Sequence, residues 1–179
     1  MPNQNPEQIA RDNIDAQLGA CGWIVQKKTE VNLAASDGVA VREYQTDVGP
    51  ADYVLFVDKK PVGVIEAKPE DIGYQLTTVE EQSTEYANAK LKYLDNEQLP
   101  FVYESTGELT RFTDYRDEKP RSRLVFSFHR PETLREWLKQ NDTFRNSIHK
   151  LPELPIDGLR DCQINAINKL EKSLKENRP

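Results

Sequence analysis

The sequence predicts a mixed α/β layer fold, a central mixed sheet flanked by helices. Three observations carry this expectation. Two apolar runs, Tyr53–Val57 and Val62–Ile65, lie close together without alternating, as strands covered on both faces do. Helix-start chemistry stands on either side of the strand-rich stretch, at Asn5-Pro6-Glu7-Gln8 and at Thr78-Val79-Glu80-Glu81. The element order is α-β-β-β-β-α-β-β-β and then helices, which interleaves the two kinds of structure.

Taken in order, Asn5 caps a first helix with Pro6 in its first turn, Ile9, Ile14 and Leu18 give it an apolar side, and Gly19 supplies a stop. Trp23–Val25 reads as a short strand, 29–38 as a loop, and Val39–Tyr44 alternates like a half-buried strand. Gly49-Pro50 reads as a break. Tyr53–Val57, a turn over 58–61, and Val62–Ile65 then form the central hairpin. After a loop over 69–77, the capping box at Thr78 opens a helix through about Tyr93. Phe101–Glu104 and Leu109–Thr113 form a second hairpin around Thr106-Gly107, followed by a strand at Arg123–Phe128 and short helices at Pro131–Lys139 and 142–150. Leu151–Pro155 is a stiff linker to a final amphipathic helix, Leu159–Asn177, with Gln163, Ala166, Ile167, Leu170 and Leu174 on one face. The domain assignment is 1–152 and 153–179.

Composition narrows the class. The 179 residues suffice for one domain with a real core and a short appendage. Mean hydropathy is −0.75 and no apolar run approaches the roughly 18 residues of a membrane span. The N-terminus lacks the basic and apolar parts of a signal peptide. Cys21 and Cys162 stand far apart and form neither a disulfide framework nor a metal knuckle, which points to a reduced, cytoplasmic protein. The net charge of −6 lacks the basic excess of a free-standing nucleic-acid binder, so any DNA-directed role needs grip from elsewhere.

Asp52 opens one apolar strand, and Glu66 and Lys68 close the next. Residues 66 and 68 share a face, and the tight turn brings both strand ends to one sheet edge. Unpaired carboxylates there would cost several kcal/mol or titrate to neutral. A divalent cation resolves the difficulty: hard oxygen ligands suit Mg²⁺, which binds one or two carboxylates together with substrate phosphate. A neighbouring lysine can hold the phosphate, orient the attacking water and offset developing charge. Such a site favours phosphodiester hydrolysis. There is a geometric condition. With an even loop, 58 pairs with 61 and Asp52 opposes Ala67, on the wrong face; the functional reading therefore requires an odd connection, a bulge, or Asp52 bending off the strand end. Taken alone the triad arises often by chance, and a structural salt-bridge cluster is the simpler account. The surrounding pattern shifts the weight: a Gly-Pro turn, an Asp, an apolar strand, a tight turn, and a second apolar strand ending in E-x-K.

That pattern resembles the PD-(D/E)xK nuclease superfamily, as Pro50-Ala51-Asp52 and Glu66-Ala67-Lys68, with Ala51 inserted between Pro and Asp. The following helix carries Gln82 and Tyr86 as a Q-x3-Y pair on one face. The stretches Ala51–Asp58 and Gly63–Lys68, with Arg11-x-x-Ile14-Asp15-x-x-Leu18 and Gly22-Trp23, are similar to the N-terminal nuclease region of the restriction (R) subunit of type I restriction–modification enzymes. Leu159–Ile167 resembles the Gln-containing segment ahead of the ATP-binding loop of superfamily 2 helicase motors, and no G-x-x-x-x-G-K-[ST] follows it in this chain. The expectation is a nuclease domain joined to the first helix of an absent motor.

The resemblance implies an αβββαβ restriction-endonuclease-like core and a Mg²⁺-dependent endonuclease acting on double-stranded DNA. Asp52 and Glu66 would hold the metal, with the Ala67 carbonyl a further ligand; Lys68 would act at water or phosphate; Gln82 and Tyr86 would contact DNA. The implied partners are the methyltransferase and specificity subunits and the chain's own C-terminal motor, which alone would use ATP, cleaving unmethylated foreign DNA. The alternatives are a recombination or repair nuclease of the same superfamily, and a docking module that has lost catalysis. Glu7, Asp15 and Glu43 are open candidates for an additional acidic group. Lys27-Lys28, Lys90, Lys92 and the Arg111–Arg123 cluster are candidate phosphate contacts, each more simply solvated surface. His129 and His149 lack partners at ligand spacing and read as surface or capping residues, both cysteines as buried small hydrophobes, and Trp23 and Trp137 as packing anchors.

Overall fold

In the computed structural model the described residues are 6–47, 49–68, 93–94, 97–118 and 120–176. They form two compact units, residues 1–140 and 141–179. The expected helix after Thr78, with Gln82, Tyr86, Lys90 and Lys92, lies outside the described residues.

Helix α1 (Pro6–Ala20) buries Ala10, Ile14 and Leu18, one stripe at spacing four. It runs past Gly19, the expected stop. Closure comes at Gly22, whose φ of 90° suits glycine, with Trp23 N–H donating to the Leu18 carbonyl and Gly22 N–H to that of Gly19. This is a Schellman ending, which satisfies carbonyls the helix cannot. Strands β1 (Ile24–Lys27), β2 (Gly38–Thr46), β3 (Gly49–Val57) and β4 (Lys60–Ala67) follow, then the short β5 (Tyr93–Leu94) and β6 (Glu97–Gln98), and β7 (Phe101–Ser105), β8 (Thr110–Asp114) and β9 (Arg123–Val125). The first unit closes with α2 (Pro131–Lys139). Gly49-Pro50, expected to break the chain, instead pairs in β3 with Thr46 and Gln45. The strand expected to run to Phe128 stops at Val125, and Tyr93, expected to end a helix, opens β5.

Seven strands form one mixed sheet in the order β1-β2-β3-β4-β7-β8-β9, with β1/β2 and β4/β7 parallel and the rest antiparallel. Apolar side chains fill both faces. On one, Tyr53, Leu55, Ile65, Phe101 and Phe112 pack with Ile14 and Leu18 of α1 and Leu134 of α2. On the other, Val39, Val41, Val54, Phe56, Val64 and Val102 make a second core with Leu99. This double burial is what the unalternating apolar runs encode, each full side chain contributing about 1.5–3 kcal/mol.

The β3–β4 turn is tighter than expected. Val57 pairs with Lys60, and Asp58 (φ 49°) and Lys59 (φ 68°) form a two-residue turn, both left-handed as a type I′ hairpin requires. Arg135 on α2 grips Asp58 through two 2.7 Å hydrogen bonds and pairs with Asp37 at 2.9 Å. A bulge follows: Phe56 pairs with Pro61 but Leu55 pairs with Gly63, leaving Val62 extra. Pro61, which has no N–H to offer a ladder, sits beside that irregularity.

Several side chains depart from expectation. His129 is no surface group: its ring lies against Phe112 and Trp137, and its Nδ1 is 2.7 Å from the Tyr103 hydroxyl. Burial pushes its pKa down to about 4. Trp23 and Trp137 do pack as anchors, and the Trp23 indole N–H donates to the His129 carbonyl at 2.9 Å. Cys162 is exposed, unlike the partly buried Cys21. Arg111 is buried and donates to Ser122, while Arg116 pairs with Asp114 and stacks on Phe101 at 4.8 Å, so neither is a solvated cation. In the second unit, Thr143 caps α3 (Phe144–His149), Asp142 pairs with Lys150, and α4 (Asp161–Glu176) buries none of its residues.

Candidate functional site

The bulge shifts the register of the strands that carry the rim carboxylates. On the far side of it the last β3–β4 register pair is Tyr53↔Ile65, and Asp52 and Glu66 are the next residues along their strands. Asp52 receives two hydrogen bonds, from Arg11 to Oδ1 at 2.8 Å and from the Ala67 N–H to Oδ2 at 3.0 Å. The second ties the start of β3 to the end of β4 and holds the rim together. Glu66 is partly buried on the face that carries Val64, and Lys68 follows two residues later. The Lys68 N–H donates to the Ser105 carbonyl at 2.8 Å, which extends the β4–β7 ladder to the lysine itself. Among the described residues no carboxylate lies within ion-pair distance of the Lys68 ammonium.

Two neighbours extend this rim. In the parallel β4–β7 register Glu66 pairs with Glu104, which is only 5 % exposed, and Glu104 in turn pairs with Arg111 on β8. On the other side Glu43, with a φ of 51°, lies between the register pairs Arg42↔Tyr53 and Tyr44↔Ala51, opposite Asp52. Its carboxylate is 3.6 Å from Arg11 and 3.4 Å from Lys28. A cavity of about 630 Å³ opens here, lined by Arg11, Lys28, Glu43, Tyr44, Asp52 and Leu94 among others.

The three candidates for an additional acidic group separate. Asp15 is engaged: it pairs with Arg42 and accepts from the Tyr53 hydroxyl at 2.8 Å. Burial pushes the Tyr53 pKa up to about 12, so that hydroxyl keeps its proton. Glu43 stands at the rim, and the Glu7 side chain lies outside the described residues, as do Gln82 and Tyr86. Arg11 and Glu104 went unassigned from sequence. The signal for Arg11 was its place one turn before Asp15; the signal for Glu104 was a charge closing the apolar run Phe101–Tyr103.

The donors suit a hard cation in kind. Asp52 and Glu66 are carboxylates at one rim of the hairpin, the Ala67 carbonyl is adjacent to Glu66 in sequence, and each Asp52 oxygen keeps a lone pair beyond its one hydrogen bond. Among the described residues no group of three or more His, Cys, Asp or Glu converges on one point, so a resident ion would draw further ligands from water and substrate.

Fold and rim together define a mixed α/β domain with an Asp, Glu and Lys gathered at one end of its central hairpin. The family model for the second domain of the type I restriction enzyme EcoKI endonuclease subunit matches residues 28–138, more than half of the chain. The chain belongs to this family. It is similar to the type I restriction enzyme EcoKI endonuclease subunit of Escherichia coli (strain K12), 28 % identical over 223 aligned positions that cover 94 % of this chain and 19 % of that protein. The chain thus spans about a fifth of that relative's length. Among solved structures it is similar to a fragment assigned as the HsdR subunit of a type I restriction enzyme from Vibrio vulnificus YJ016, at a TM-score of 0.49 and 20 % identity, covering 97 % of this chain and 33 % of that one. Among the described residues no helix is long and apolar enough to cross a membrane.

Proposed function

We propose that this domain is the Mg²⁺-dependent nuclease centre of a type I restriction endonuclease subunit, hydrolysing phosphodiesters of unmethylated foreign double-stranded DNA. The observation that carries the reading is that Asp52 on β3 and Glu66 and Lys68 at the end of β4 stand at one rim of a bulged hairpin, tied there by the Ala67 N–H donating to Asp52. Asp52, Glu66 and the Ala67 carbonyl would hold the ion. When bound, Mg²⁺ lowers the pKa of water and polarises the phosphoryl oxygen. The chain's own part is positional. Asp52 is oriented by Arg11 and the Ala67 N–H. Lys68, its backbone fixed on β7, brings an ammonium to the scissile phosphate, where charge accumulates. Gln82 and Tyr86 are proposed to contact the DNA.

The net charge of −6 suits a domain that does not hold DNA alone. An ATP-driven motor beyond residues 153–179 and the specificity and methyltransferase subunits are proposed to supply the grip, in the cytoplasm. The test is Glu66→Ala or Lys68→Ala in the assembled complex. Double-strand cleavage should fall by about 10²–10³-fold while ATP-driven translocation persists. Cleavage that survives with translocation intact would refute the assignment and favour a docking module.

A further inference from the structure

Arg11 straddles two carboxylates. Its Nη2 touches Asp52 Oδ1 at 2.8 Å, while its Nη1 stands 3.6 Å from Glu43 Oε1. Its backbone is fixed: Ala10 and Ile14 beside it are buried, and the Arg11 carbonyl, 3.2 Å from the Tyr53 hydroxyl, shares with Asp15 the one proton that hydroxyl donates. Its side chain is less confined, 32 % exposed and bordering the 630 Å³ cavity that also reaches Glu43 and Asp52. Glu43 adopts a left-handed φ of 51°, a conformation that non-glycine residues keep only where the surroundings enforce it.

We propose that Arg11 occupies the cation position beside Asp52 in the metal-free domain, and that a divalent ion entering there moves the guanidinium from Asp52 on to Glu43. The proposal rests on the metal-site reading of Asp52 and Glu66. The physical reason is charge. A dication and a guanidinium cannot both crowd one carboxylate without strong mutual repulsion, because their interaction rises steeply at short range and low solvent exposure. Glu43 is the nearby anion able to receive the displaced cation. It is 55 % exposed against 20 % for Asp52, so it can meet Arg11 without further desolvation. Arg11 is therefore a positioning residue that acts through Asp52, setting the metal affinity of the site.

The test is calorimetric titration of Mn²⁺ and Mg²⁺, without DNA, into the full chain and its variants, each first checked for an unchanged thermal transition. Arg11→Gln should bind the ion about tenfold more tightly, within the usual range of coupling between sites, and Arg11→Lys should restore near-wild-type affinity. Glu43→Gln should weaken binding only while Arg11 is present, so Arg11→Gln/Glu43→Gln should match Arg11→Gln. A wild type that binds metal while Arg11→Gln binds equally or more weakly overturns the proposal, since Arg11 would then merely orient Asp52. Binding unaffected by Asp52→Ala, or absent from both wild type and Arg11→Gln, overturns the metal site itself and the proposal with it.

Discussion

Gly63 offers a test in which the sign of the effect decides. It pairs with Phe101 across the parallel β4–β7 ladder, one residue beyond the bulge. A Cβ added there would stand 2.4 Å from the Phe101 carbonyl oxygen and 2.9 Å from its Cβ. Real Cβ contacts do not fall below 3.0 Å, so β4 and β7 must part by roughly 0.6 Å, the difference from 2.4 Å. The obstacle is strand backbone, which cannot swing aside as a flexible side chain would. In an unobstructed position Gly→Ala stabilises by about 0.4–1 kcal/mol, because the unfolded chain loses freedom. Overpacking of this kind costs about 1–3 kcal/mol. Gly63→Ala is therefore expected to destabilise. Net of that gain the cost reaches about 2.6 kcal/mol, and at about 2–4 °C per kcal/mol the thermal midpoint should drop by up to roughly 10 °C in circular-dichroism melts of the full chain. Because the same ladder carries Glu66 opposite Glu104 and the Lys68 N–H on Ser105, amide exchange at Lys68 should also rise. An unchanged or raised midpoint would refute the close-approach argument.

Two further predictions concern packing away from the rim. His129 stays neutral in the fold down to about pH 4, whereas the unfolded chain takes up the proton near 6.5. Between those values the unfolded state binds more protons, so stability falls as pH drops, by on the order of 1–3 kcal/mol after allowance for partial exposure. Comparing denaturant midpoints at pH 7 and 4.5, His129→Gln should show a smaller loss than wild type; equal losses would contradict the buried-imidazole account. Arg135→Ala should release Asp58 and Asp37, raising amide exchange at residues 58–60 with little change in global unfolding. The difference from wild type should shrink in high salt, as it must for an exposed ion pair.

Local chemistry was enough to read the two-sided burial of Tyr53–Val57 and Val62–Ile65, the helix at Pro131–Lys139 and the hairpin around Thr106-Gly107, because apolar periodicity and turn residues act over a few positions. The same chemistry misplaced Gly19 and Gly49-Pro50. A glycine can stop a helix or be carried through it, and the cross-strand pairing that absorbs Pro50 is not written next to it. His129 was misjudged for a related reason: its ring is buried by Tyr103, Phe112 and Trp137, which come from distant parts of the chain.

The candidate site divides along the same line. The candidates Asp52, Glu66 and Lys68, and the parity condition that Asp52 reaches their face only through an odd connection, a bulge or a bend off the strand end, came from sequence spacing alone, since side chains alternate with period two. The bulge at Val62 was not legible locally: it stands between a two-residue turn clamped by Arg135 and a close approach of Gly63 to the parallel neighbour β7. Only tertiary structure set Arg11 between Asp52 and Glu43 and paired Glu66 with Glu104. Those contacts join residues 32 to 41 positions apart, and no local propensity specifies distance in space at that separation in sequence.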